Sequence, residues 1–312
     1  DLAIIVIYLS SVFYIGLRYR DRSSDFSTFM IADRKVGLSL GVATMLGTEL
    51  GLITVMYNAQ TGVLNHFSSF HIGLFALVVT MAIGLTGAVV VRLRELEVKS
   101  IPEYYEIRFG RRVRILGALL LVVGGILNMG LFLKVGAIFI QGIFGLETSG
   151  ATLTAVMVAL LVMVLIYTML GGMISVIITD YIQFVVLSAG LIVCVIVSVL
   201  HFGWINIFTS LESLTGGVES VYNPIQSRGG FYITWQIVLG FVSAVVWPTA
   251  ITRALSLDSP DTVRRQYIWS SVSFLIRFMV PCFLGICAYI YFGGVVDENS
   301  LIMLPRYLSE VL

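Results

Sequence analysis

From Ala43 to Gly62 the chain reads ATMLGTELGLITVMYNAQTG, with glycines, threonines and one carboxylate, Glu49, set inside an otherwise apolar stretch long enough to cross a bilayer. An ionisable side chain at that depth marks a functional site by default. Helices broken near the bilayer midplane offer backbone carbonyls to cations and amide N–H groups to anions, an arrangement common to many secondary transporters. These residue types at this spacing therefore point to ion-coupled transport.

Glu49 falls about 13 residues into its helix, roughly 20 Å along and past the midplane. It must be paired, hydrated or protonated there, so a proton-carrying role, a direct contact to cation or substrate, and a structural pairing with a base all stay open. Arg277 is the natural partner, since ten residues into its helix places it about 15 Å deep. An arginine there could also take a substrate carboxylate bidentately, and Pro281 one turn later is placed to kink the helix. Asp180 lies about six residues, roughly 9 Å, into a helix expected to start near Ile174. Thr179 and Gln183 flank it, Gln183 one turn away on a similar face, so a polar cluster can point into a bundle; an aspartate that merely accepts a hydrogen bond or faces cytoplasmic water is the plainer alternative. Lys134, about 28 Å along its helix, reads as a snorkelling lysine with no transport role.

The elements that position these groups follow from composition. Of 312 residues 58% are hydrophobic and only 12% charged, and the mean hydropathy is +0.98, which excludes an ordinary soluble domain. Apolar runs of spanning length fall at 1–17, 36–58, 69–91, 115–142, 151–170, 174–200, 231–252 and 267–292, giving eight expected helices and an all-α membrane bundle. The connections 18–35, 92–114 and 253–265 hold 15 of the 19 Lys and Arg, and basic loops stay in the cytoplasm. This predicts a multi-pass protein of the plasma (inner) membrane with the N-terminus of the chain outside. The seven basic residues of 92–114 read as a topology anchor near anionic lipid, and no nucleic-acid partner is expected.

Asp1 already lies in an apolar run, without a basic n-region or a cleavage site, which predicts a chain cut at the front. Cys194, Cys282 and Cys287 all fall in expected spans, and His66, His71 and His201 at or near outer helix ends, with no ligand spacing. No cofactor is expected. No His-rich metal cluster, GxSxG elbow or paired-carboxylate motif supports an enzyme.

Four separated blocks carry a resemblance to the sodium/solute symporter family: FMIADR at 29–34 ahead of ATMLGTELG, IPEYYEIRFG at 101–110, YTMLGGMISVIITDYIQF at 167–184 and TRALSLDSPDTVRR at 252–265. They occur in the family's order and cover most of the chain. The resemblance implies a leucine-transporter-like fold in one domain, 1–312. A peripheral helix at 1–17 would precede a complete first five-helix repeat at 36–200 and the start of a second at 231–312. LIMLPRYLSEVL at the end resembles the segment just before the family's eighth core helix, so a fragment is expected, lacking a helix that normally supplies hydroxyl ligands to sodium.

Carried over to this chain, the resemblance implies sodium as coupling ion, bound by the backbone carbonyls of Ala43 and Leu46, and a cation-coupling role for Asp180 alongside Glu49. A hard cation takes oxygen ligands, and carbonyls freed at a helix break supply them where the backbone lines a protein cavity. Gly41, Gly47 and Gly51 allow such distortion, although close helix packing explains small residues equally well. Substrate or gating candidates are Thr48, Met45, Leu50, Gln183, Trp247 and Arg277.

Where sugar-carrying members have Asn and Gln in the first core helix, this chain has Met45 and Leu50, and where many have Asn-Gln it has Trp247 and Pro248. A hexose is therefore disfavoured against a small carboxylate or amino acid. Trp235, Phe241 and Trp247 could equally face lipid. The function expected is sodium-coupled symport by alternating access, with a solute-sensing, transporter-like domain of a signalling protein as the alternative.

Overall fold

The computed structural model describes residues 10, 11, 14, 31–145, 150–217 and 219–311, and within 167–175 the helix path alone. The expected peripheral helix at 1–17 and most of the loop 18–35 lie outside the described residues. From residue 31 on, the described residues form thirteen α-helices: α1 (Leu38–Glu49), α2 (Leu52–Asn65), α3 (His71–Thr86), α4 (Val90–Glu95), α5 (Ile101–Phe109), α6 (Arg111–Phe144), α7 (Gly150–Phe202), α8 (Trp204–Thr215), α9 (Pro224–Arg228), α10 (Gly230–Val246), α11 (Pro248–Leu255), α12 (Pro260–Tyr291) and α13 (Met303–Val311). Among the described residues the sole extended pairing is one isolated parallel bridge between Val36 and Leu257.

Among the described residues four helical stretches are long and apolar enough to cross a membrane: Leu52–Thr86, Arg111–Phe144, Val176–Phe202 and Pro260–Tyr291. The pair α10 and α11, bent by 44°, makes a fifth. Of the eight expected runs, 1–17 lies outside the described residues, and the rest of the difference has local causes. The run at 36–58 is cut at Leu50, leaving α1 with 12 residues, about 18 Å and too short to span. Beyond the cut, α2 passes through the 3-10 turn His66–Phe70 into α3. The runs at 151–170 and 174–200 belong to one helical stretch, α7, of 53 residues.

The breaks and starts follow from residue type. Pro248 occupies the first turn of α11 and holds Trp247 in an extended conformation (φ −63°, ψ 119°), which ends α10. Proline likewise opens α12, with the Ser259 hydroxyl accepting the Thr262 N–H at 3.1 Å. At the start of α5, Ser100 accepts from Glu103 N–H while the Glu103 carboxylate takes the Lys99 N–H at 2.6 Å, a reciprocal cap. Gly145, at φ 61°, closes α6 in the left-handed region that glycine occupies at no cost.

Packing centres on α12. As the chain passes from Ala59 to Gly84, the residues it meets on α12 run back from Gly285 to Arg264. Small residues permit this approach, since a side chain on Gly62 or Gly285 would collide with the carbonyl of Cys282 or Ala59. Two apolar cores result. One gathers Met45, Leu46, Ile83, Ile177 and Tyr267, and the other Leu50, Met56, Val63, Leu284 and Tyr307. The break between α1 and α2 falls at the boundary between these cores, because Leu46 belongs to the first and Leu50 to the second. Long stretches of α6 and α7 carry outward apolar side chains such as Leu127 and Leu200, the surface a bilayer covers.

Candidate functional site

The helical ladder of α1 closes with the Leu50 N–H on the Leu46 carbonyl at 2.7 Å and resumes with the Val55 N–H on Gly51 at 3.2 Å. Across the gap the Thr54 hydroxyl donates to the Glu49 carbonyl at 3.0 Å. Of the two carbonyls assigned to sodium by resemblance, that of Leu46 thus already accepts one bond. A carbonyl oxygen has a second lone pair, so the bond does not bar it from a cation. Among the described residues no His, Cys, Asp and Glu cluster could hold a metal.

The side chain of Glu49 enters a cavity of about 400 Å³ between α1, α3, α10, α11 and α12, within the size range of small-ligand sites. Its Oε2 accepts Arg277 Nη1 at 2.9 Å and its Oε1 accepts the Thr249 hydroxyl at 3.3 Å. The two charged side chains are 16% and 12% exposed. The Arg277 guanidinium lies 4.4 Å and 4.6 Å from the ring centres of Phe274 and Phe278, where ring quadrupoles hold a cation. Its Nε is enclosed with no hydrogen-bond partner. The remaining wall is mainly apolar, with Met45, Phe75, Val79, Leu239 and Trp247 around the polar groups Thr80, Gln236 and Ser243.

A second charged cluster joins α1, α7 and α11. Asp180 Oδ2 accepts Thr44 Oγ1 at 2.7 Å, Thr48 Oγ1 at 2.8 Å and Arg253 Nη2 at 3.1 Å, and the ion-paired side chains are each 10% exposed. Thr44 and Thr48 lie one turn apart on α1, hence on one face. Gly47 beside them has no side chain because the Asp180 backbone fills that space. The ends of α1 and α11 remote from their breaks are tied together beyond this cluster. Val36 N–H meets the Ser256 carbonyl at 3.2 Å and Asp258 N–H returns to Val36 at 3.1 Å. Buried Arg94 donates through Nε to the Leu257 carbonyl and through Nη2 to that of Asp258, both at 2.9 Å. Burial, then the charge of Arg34, lowers Arg94 from its usual value while Glu97 and Asp258 oppose them, and an arginine keeps its charge under such pressure. Arg34 in turn pairs with Glu97 at 3.6 Å.

The structure thus brings Glu49, Met45, Trp247 and Arg277 to one cavity. It does not bring every candidate there. Thr48 is spent on Asp180, and Leu50 is buried in the apolar core beyond the break. Gln183 is half-buried on α7 and is not a partner of Asp180, and the Thr179 hydroxyl turns back to the Val176 carbonyl at 2.9 Å. Arg253 and Arg94, counted from sequence among the loop charges that set topology, are buried structural donors instead. Thr44 and Thr249 also escaped notice, because a membrane helix threonine ordinarily bonds its own backbone. Of the other aromatics, Trp235 and Phe241 are about half exposed, whereas Trp247 lines the cavity.

Two helices interrupted side by side around a cavity that holds one ion pair define an α-helical membrane bundle of the secondary-transporter kind. The chain belongs to the sodium:solute symporter family, whose pattern matches residues 29–301. It is 24% identical over 302 residues to sodium/proline symporter 2 of Staphylococcus saprophyticus, covering 87% of this chain and 53% of that protein. It is 26% identical over 208 residues to the human sodium/myo-inositol cotransporter, covering 65% of this chain and 28% of the cotransporter. A substrate-bound, outward-open Na+-coupled sialic acid symporter superposes on all of this chain and 66% of its own, with a TM-score of 0.85 at 18% identity. That likeness establishes a shared leucine-transporter-like fold. The chain spans about half or less of the length of the curated relatives it matches.

Proposed function

We propose that this chain belongs to a sodium-coupled symporter that carries a small carboxylate or amino acid by alternating access, with the solute in the cavity between the two broken helices. The observation that carries the reading is the Glu49–Arg277 pair at 2.9 Å inside a largely apolar cavity of about 400 Å³. A membrane protein holds charge at such depth for a purpose. A polyol or hexose would find few polar partners against walls of Phe75, Val79 and Trp247. Sodium takes the carbonyls of Ala43, midway along α1, and Leu46, in its last turn, and Asp180 couples this part of α1 to α7 and α11. Whichever arrangement sodium and solute both prefer is stabilised by both, so each raises the other's affinity by the same factor. The basic loops lie in the cytoplasm and the chain begins outside.

Uptake by the full-length protein in proteoliposomes tests this, with an inward sodium gradient, a proton gradient or neither, and labelled carboxylates, amino acids and sugars. Sodium-driven accumulation, lost in Asp180→Asn, is the expected result. Uptake driven by protons alone rejects sodium as the coupling ion. Binding with no gradient-driven uptake rejects symport in favour of a solute sensor.

A further inference from the structure

The Glu49–Arg277 pair does more than mark the cavity, because its charge balance restricts which solutes fit. We infer that the cavity selects a zwitterion with an apolar body, its carboxylate on the Arg277 guanidinium and its ammonium on the Glu49 carboxylate. The inference rests on the reading that this cavity is the solute site.

The pair as it stands is neutral and incompletely satisfied. Arg277 meets Glu49 through Nη1, while Nε is enclosed without an acceptor. The guanidinium is held between Phe274 and Phe278, rings that stabilise its charge but accept no N–H at carboxylate strength. On the other partner, Oε1 of Glu49 has only the long 3.3 Å contact from Thr249. One partner therefore lacks an acceptor and the other a strong donor, within a single cavity.

A lone carboxylate could serve Arg277, but it would leave two anions beside one cation in a poorly hydrated site, where like charges repel strongly. An amine alone makes the opposite error beside Arg277. An α-amino acid supplies both missing groups on one carbon and adds no net charge. The apolar remainder of the wall, Phe75, Val79, Leu239 and Trp247, then faces its side chain.

Equilibrium binding to the full-length protein in detergent with sodium tests this, by quenching of tryptophan fluorescence and by calorimetry. The probes are leucine and phenylalanine, their deamino acids 4-methylpentanoate and 3-phenylpropanoate, their decarboxylated amines, and myo-inositol. At least one amino acid is expected to bind on the order of a hundredfold more tightly than either truncated form, the loss of one charge-assisted hydrogen bond. Glu49→Gln should erase the preference for the amino acid over the deamino acid, and Arg277→Gln the preference over the amine. Glu49→Gln/Arg277→Gln, which leaves no charge unpaired, guards against misfolding and should lose both preferences at near wild-type melting temperature. Equal binding of the deamino acid by wild type, tightest binding of myo-inositol, or binding of no probe overturns the inference. Sodium-driven uptake of a solute that is no zwitterion also overturns it while sparing symport, and the crossed binding pattern without uptake spares the inference while rejecting symport.

Discussion

Asp180 and Arg253, 73 positions apart, meet at 3.1 Å through the same carboxylate oxygen that receives Thr44 and Thr48. Three helices are pinned at one atom, and the turn of α1 so pinned carries the carbonyls of Ala43 and Leu46. Asp180→Asn keeps the volume and leaves Arg253 a buried, unpaired cation. It should cost about 3–5 kcal/mol, as loss of one partner from a buried pair does. Asp180→Asn/Arg253→Gln, with no stranded charge, should recover most of that. Thermal unfolding of detergent-solubilised protein, followed by size exclusion, reads both, and a single variant that melts with wild type would show that the contact bears no load.

Gly47 and Gly51 are equivalent to the eye in sequence but not in surroundings. A methyl at Gly47 collides with the backbone of Asp180, whereas one at Gly51 meets only the Phe132 ring at 3.7 Å, an ordinary contact. Gly47→Ala must push α1 from α7 and stretch the threonine bonds to Asp180. A loss of about 1–3 kcal/mol in stability is expected, the usual range for overpacking, with weakened sodium-dependent solute binding. Gly51→Ala should stay close to wild type in both. Equal behaviour of the two variants would contradict the close approach at Gly47.

Much of this site was legible because membrane interiors make polar residues conspicuous. Glu49, Asp180 and Arg277 stand out against apolar neighbours, whereas the second break, at Pro248, falls inside the run 231–252 that reads as one helix. Depth along a helix even suggested that Arg277 faces Glu49. The partner of Asp180 was hidden for a different reason. Arg253 stands in a block with Arg264 and Arg265, and only tertiary packing reveals that it turns inward while Arg265 pairs with exposed Asp261 at 2.8 Å. The runs 151–170 and 174–200 read as two in the sequence, yet a glycine lowers helix propensity by only about 1 kcal/mol, and one helical path joins them.

The crossing of α2 and α12 offers a test of close packing away from any charge. Gly62 faces the carbonyl of Cys282 and Gly285 that of Ala59, each without room for a further carbon. Backbone atoms cannot rotate aside as a side chain can. Gly62→Ala or Gly285→Ala should therefore lower folded yield and cost about 1–3 kcal/mol each. Because both force the same two helices apart, the double variant should cost less than the sum. Strict additivity in melting experiments would mean that the two glycines do not share one crossing.

Arg94 is placed to govern how readily the ends of α1 and α11 remote from their breaks separate. Its guanidinium ties the carbonyls of Leu257 and Asp258 at 2.9 Å each, and the same turn pairs with Val36 just ahead of α1. Hydrogen bonds from a charged donor contribute about 1.5–3 kcal/mol apiece. Arg94→Gln, too short to reach both carbonyls, should therefore favour the separated arrangement by about tenfold or more. Ser256 is buried at this junction, so in a Ser256→Cys background the thiol reports the opening through its rate of labelling by a water-soluble maleimide. Faster labelling with Arg94→Gln, slowed again by saturating sodium and solute if these favour the closed junction, is the expected pattern. A labelling rate unchanged by Arg94→Gln would place the resistance to opening elsewhere, in the Asp180–Arg253 contact or in the apolar core around Tyr267.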